Sequence, residues 1–277
     1  MRSTLRMLGL ATALLGPATA VAGQDAGAII DRMLEAYEGR TAGIDNYTLV
    51  QSVMGFETTV YFVKEMDAGR PVFRLANSST GGVQVDMSDE GAGFDEIYLM
   101  GEEFKERAEY VGRESIDGFD VHVLQMDELE ATGFGRTMSG EGEFTPVRGR
   151  IYLDTELYAP RRMVFEGELR NDEGTHSVTS TMDMTDYRDH QGMLVAHRSV
   201  MSIEGLEAAI DDDARAQFEE MERELANMPP EQRQMVESMM AAQLEQFRAM
   251  MAGGGEPMVF EVQVREVRIN SGPPGLR

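Results

Sequence analysis

Apolar side chains recur at helical spacing near the start of the chain, where Ile29, Ile30, Met33, Leu34 and Tyr37 fall on one face. Asp25 stands at a capping position and Gly39 where such a helix can end, so the pattern predicts one amphipathic helix. From Tyr47 the period drops to two. Short runs with strand character follow at 47–56, 58–66, 72–76, 83–87, 96–100, 109–116, 119–126, 148–154, 161–170, 176–187, 194–203 and 258–270. Turn residues separate several of them, at Asp117-Gly118, Asp172 to Gly174 and His190 to Gly192. In the run 161–170, Met163, Phe165 and Leu169 share a face opposite Glu166, Glu168 and Arg170, so one face is apolar and the other wet. The last run alternates Phe260, Val262 and Val264 with Glu261, Gln263 and Arg265, then slips before Val267 and Ile269, which predicts a bulge near Glu266. Many short strands with no strand-helix-strand rhythm predict a mainly β chain with helices (α+β), built on one antiparallel sheet that is curled or closed. The stretch 127–145 is rich in Gly, Glu and Thr and reads as a long loop.

Residues 206–252 break the strand rhythm. Ala214, Phe218, Met221, Leu225 and Met228 form a narrow stripe, 227–230 (NMPP) interrupts it, and a second helical run reaches Met251. The pattern predicts a helical hairpin inserted between the last strands. Seven of the chain's 22 methionines lie between Met221 and Met251. The second run carries two ridges: Val236, Met240, Leu244, Phe247 and Met251 suit packing on the first helix, while Met235, Met239 and Met250 need another partner. Two readings fit that methionine ridge, a plain cap on the β-core or an adaptable cover over an apolar ligand site.

The first 22 residues carry Arg2 and Arg6, an apolar run from Met7 to Leu15, Pro17 and then Ala20-Val21-Ala22, the pattern of a cleaved secretory signal peptide. Residues 23–277 then read as a single exported β domain, expected in the periplasm with the extracellular space as the other possibility. There is no cysteine for disulfides or for a lipid anchor, and a core of about 255 residues needs no staples. The formal net charge is −24, and it becomes more negative once Arg2 and Arg6 are removed. Such a surface argues against nucleic-acid partners, and the acidic first helix of the hairpin argues against stable insertion into anionic membranes.

Candidate chemistry is sparse. His122, His176, His190 and His197 lack metal-site spacing, and neither a nucleophile elbow nor a phosphate loop is present. Asp211 to Asp213 read as a helix start. Met235, Met239 and Met240 can approach one soft ion, but the hairpin offers no histidine or cysteine to complete a site. No catalytic residue, cofactor or metal is therefore expected.

Three segments, 116–124 (IDGFDVHVL), 150–160 (RIYLDTELYAP) with Arg161, Arg162 and Met163 after it, and 186–198 (DYRDHQGMLVAHR), resemble the outer-membrane lipoprotein-sorting family, that of the periplasmic lipoprotein carrier. The likeness spans roughly 25–203 and 258–270 and leaves out the hairpin; Ala196 stands where the family has a proline. The resemblance implies a strongly curved, incompletely closed antiparallel β-barrel whose helices cover a concave apolar face that binds acyl chains. The expected function is non-catalytic binding of lipid or lipoprotein, with Met163, Phe165, Phe260 and Val262 of the sheet and Met235, Met239 and Met250 of the hairpin lining the cavity. The alternative is an envelope interaction or sensor module whose hairpin docks a protein partner or self-associates.

Overall fold

The computed structural model describes residues 25–53, 55–67, 69–80, 83–85, 96–99, 101–129, 144–171, 174–206, 212–229, 233, 248 and 257–273. Residues 1–22, most of the loop 127–145, and Met235, Met239 and Met250 lie outside them.

Eleven strands form one antiparallel sheet: β1 (Asn46–Val53), β2 (Phe56–Asp67), β3 (Arg70–Thr80), β4 (Val83–Val85), β5 (Glu109–Ile116), β6 (Phe119–Asp127), β7 (Phe144–Asp154), β8 (Pro160–Asn171), β9 (Gly174–His190), β10 (Met193–Glu204) and β11 (Met258–Ile269). Their order is β4-β3-β2-β1-β11-β10-β9-β8-β7-β6-β5, so the last strand lies between the first and the tenth, and among the described residues β4 and β5 are the edges of a curved half-barrel that does not close. Two-residue turns set the hairpins. Asp117-Gly118 and Gln191-Gly192 all have positive φ, the backbone that matches the twist of flanking strands.

Helix α1 (Ala26–Thr41) lies across the concave face, and Asp25 caps it by accepting from the Gly27 amide at 3.1 Å. Ile29, Ile30, Met33 and Leu34 are buried with Leu124, Ile151, Met163 and Phe165 over one half of the sheet. Tyr37 is buried with Tyr47, Leu49, Phe62, Phe73 and Val195 over the other half. One helix thus bridges two core clusters, because its apolar face runs its whole length of about 24 Å.

Two expectations are corrected. The helix passes through Gly39 and ends at Thr41, because its last carbonyls find other partners: the Lys64 amine donates to the carbonyls of Thr41 and Ala42, and the Thr41 hydroxyl donates back to the carbonyl of Tyr37. Residues 96–99 are not a strand. Glu96–Leu99 is a helical turn (α2), followed by α3 (Gly101–Arg107). Ile97 and Phe104 enter the α1 cluster from these helices, and Tyr98 stacks on Tyr37 with ring centroids 3.9 Å apart.

Between β10 and β11, α4 (Asp212–Asn227) ends where the sequence breaks at 227–230. Arg248 places its Nε 2.7 Å from Glu222 of α4. The predicted bulge is present in β11: Val50 pairs with Glu266 but Gln51 with Val264, leaving Arg265 as the extra residue.

Candidate functional site

The site arises where two neighbouring strands part. The β10–β11 ladder runs over Arg198–Ile203 against 258–263 and then stops. From there β10 keeps its pairing with β9 as far as Met193, while β11 bulges and follows β1 to Ile269. His197 sits in the fork. Its Nδ1 lies 2.9 Å from the Val264 carbonyl, which can only accept, so the neutral ring donates from Nδ1 and keeps its lone pair on Nε2. That lone pair accepts from Nε2 of His190, 2.8 Å away. A side chain thereby replaces the ladder bond that the divergence removes. Burial, then the Arg188 cation, pushes the His197 pKa below its ordinary value; His190 adds to this, while the Val264 carbonyl and Asp186 oppose it.

On the concave side of the fork is a cleft of about 110 Å3. Val262 and Val264 form its β11 wall and Leu49 and Gln51 its β1 wall. Val195 and Ala196 come from β10, Met184 and Tyr187 from β9, and Tyr98 from α2. Among the described residues that line it none is charged, and its polar side chains are tyrosines, Gln51 and Ser199. At about 30 Å3 per water the cleft holds roughly four waters, or about as many methylenes, which are of similar volume.

A buried ion pair shapes one end. Asp154 accepts through Oδ1 from the amides of Glu156 and Leu157, at 2.9 and 2.8 Å, and through Oδ2 from Nε and a terminal nitrogen of Arg161, at 2.9 and 2.8 Å. Burial alone would raise this carboxyl's pKa, but the two amides and Arg161 outweigh it and hold it below the usual range. The Arg161 guanidinium is 3.8 Å from the centroid of Phe119 and 5.0 Å from that of Tyr187. The Tyr187 hydroxyl donates to the Pro160 carbonyl, and both residues line the cleft. This accounts physically for the Asp-to-Pro segment 154–160: it is a rigid corner that holds β8 and β9 in place.

Of the residues expected to line a cavity, Val262 does so. Phe260 is half-buried on the same strand, among residues that do not line the cleft. Met163 and Phe165 face the concave side but are packed into the α1 cluster, so helix and not ligand occupies their space. No described residue of α4 lines the cleft; Tyr98 of α2 does. Tyr98 was missed because four residues, 96–99, cannot distinguish a helical turn from a strand by period. Met184 and Val264 were legible as apolar strand positions, but only the strand divergence sets them at a cavity.

Across known proteins, no family model matches the chain, and no curated protein matches it. Among solved structures it is similar to a domain described as an outer membrane lipoprotein-sorting protein from Vibrio parahaemolyticus, at 11% identity and a TM-score of 0.38, covering 88% of this chain and 95% of that one. It is also similar to a DUF1329 family protein from Desulfovibrio piger, at 10% identity and a TM-score of 0.44, covering 91% and 96%. A third is LprF from Mycobacterium bovis, at 14% identity and a TM-score of 0.25, covering 56% and 92%. These are likenesses of backbone shape, and the functional reading below rests on the cleft.

Proposed function

We propose that the chain is a non-catalytic, periplasmic lipid- or lipoprotein-binding protein that holds an acyl chain in the cleft at the β10–β11 fork. One observation carries this reading: the cleft is apolar and uncharged along its described walls, although the chain as a whole has a net charge of −24. Each methylene that enters it contributes about 0.8 kcal/mol from burial. Tyrosine hydroxyls, Gln51 and Ser199 are too few and too weakly activated to suggest a covalent step. In this reading the ridge of Met235, Met239 and Met250 completes the cover where Tyr98 leaves off.

Delipidated protein should bind a fluorescent fatty acyl probe, and Val262→Gln should weaken that binding at least fivefold without lowering the melting temperature appreciably. Replacing Met235, Met239 and Met250 together by Gln should also weaken it. A probe that binds wild type and V262Q equally sinks the cleft as the site; one unaffected by the triple variant removes the methionine ridge from it.

A further inference from the structure

A second, smaller cavity of about 40 Å3 adjoins the cleft and shares Tyr98, Tyr187, Met193 and Leu194 with it as a partition. Its own walls add the last turn of α1, with Tyr37, Arg40 and Thr41. Arg40 is the one charged residue among its described lining. A terminal nitrogen of the guanidinium donates to the Leu157 carbonyl, leaving most of its five N–H donors for other partners. Among the described residues no carboxylate pairs with Arg40, in a strongly acidic chain where Arg148, Arg161, Arg162, Arg188, Arg198 and Arg268 all have one. The carboxylate at the Leu157 corner, Asp154, is already neutralised by Arg161. The Arg40 cation also acts on the Tyr187 phenol, favouring its ionised form against the larger effect of burial, so the charge is felt at the partition.

We infer that cleft and cavity form one site for a carboxylate amphiphile, its carboxylate on the Arg40 guanidinium and its chain along the wall of Val262 and Val264. This inference rests on the acyl-binding reading above and adds a head-group subsite to it. Size supports the assignment: at about 30 Å3 per water the smaller cavity holds roughly one, the space of a carboxylate but not of a glycerophosphate head. The cleft accommodates about four methylenes by the same measure, and a longer chain runs on out of its mouth. Met193, the unbranched side chain of the partition, joins the two spaces by a change of rotamer. The guanidinium then faces the carboxylate with a planar fork of donors.

The test compares decanoate with decanol by calorimetry on the delipidated chain, wild type against Arg40→Gln and Arg40→Lys. Decanoate should bind R40Q at least tenfold more weakly than wild type, as expected for loss of a charge-assisted hydrogen bond. Decanol should bind both within about twofold, and R40K should recover part of the decanoate affinity. Affinity should rise about fourfold per methylene among short carboxylates and level off once about four methylenes are buried, near hexanoate. If decanol binds wild type while R40Q leaves decanoate unchanged, or weakens both ligands alike, the head-group subsite is wrong and the acyl cleft stands. Dodecyl phosphate binding as tightly as dodecanoate would overturn the carboxylate assignment. If neither decanoate nor decanol binds wild type, the acyl-binding reading fails and this inference with it.

Discussion

Removing the Asp154 carboxylate tests how the cleft's corner is held. The group is 4% exposed and Arg161 is 7% exposed, so Asp154→Ala leaves a buried guanidinium with its aromatic neighbours but no counter-charge, and two amides of the 155–157 turn without their acceptor. Breaking a buried pair in this way costs about 3–5 kcal/mol. For a domain of this size each kcal/mol moves the melting temperature by roughly 2–4 °C, so a fall of about 6–20 °C is expected. Asp154→Asn keeps an acceptor for the turn and should lose less. Arg161→Met leaves the opposite charge unpaired and should cost about as much as D154A, whereas D154N combined with R161M should recover at least about 1.5 kcal/mol relative to the sum of the single losses. Urea unfolding of the four variants beside wild type measures these values. A D154A loss below about 1 kcal/mol, or strictly additive single variants, would refute the pair as the element that fixes the corner.

Other consequences are separately measurable. Gly205 closes β10 at φ +83°, and a Cβ there would lie 2.3 Å from the Ser177 carbonyl oxygen, so Gly205→Ala should cost about 2 kcal/mol or more in urea unfolding. No loss would show that the strand end shifts freely. The pKa values of His122 and His197 are pushed below 6.5, so the unfolded chain takes up these protons first: the stability they contribute is present above that pH and is lost as pH falls below it. The urea midpoint should drop between pH 7.5 and 5.5, and His197→Asn should flatten that slope; a midpoint that rises on acidification contradicts the assignment.

What the sequence shows of this architecture depends on the range of the interaction. The face of Met163 and Phe165 and the slip before Val267 are local, and period-two alternation exposes both. The end of α1 depends on Lys64, 23 positions beyond Thr41, and nothing near Gly39 announces it. The same holds for the cleft, which exists because β10 and β11 separate after Arg198 and Gln263, a matter of register between strands distant in sequence. Alternation marks Met184, Val262, Val264, Met163 and Phe165 alike as apolar. Only packing shows that the first three line a cavity while α1 fills the space above the other two. Arg40, one basic residue among 25, becomes distinctive only through its place beside the partition.

Methyl-labelled NMR during titration of the delipidated chain with decanoate tests the central claim most directly, because it reports where the ligand sits as well as whether it binds. The methyl signals of Met184, Met193, Val195, Val262 and Val264 should shift together and saturate at one ligand per chain, while Val121 and Val178, buried away from the cleft, stay in place. Shifts confined to Val121, Val178 or other methyls away from the fork, or no shift at all, would contradict an acyl site between β10 and β11.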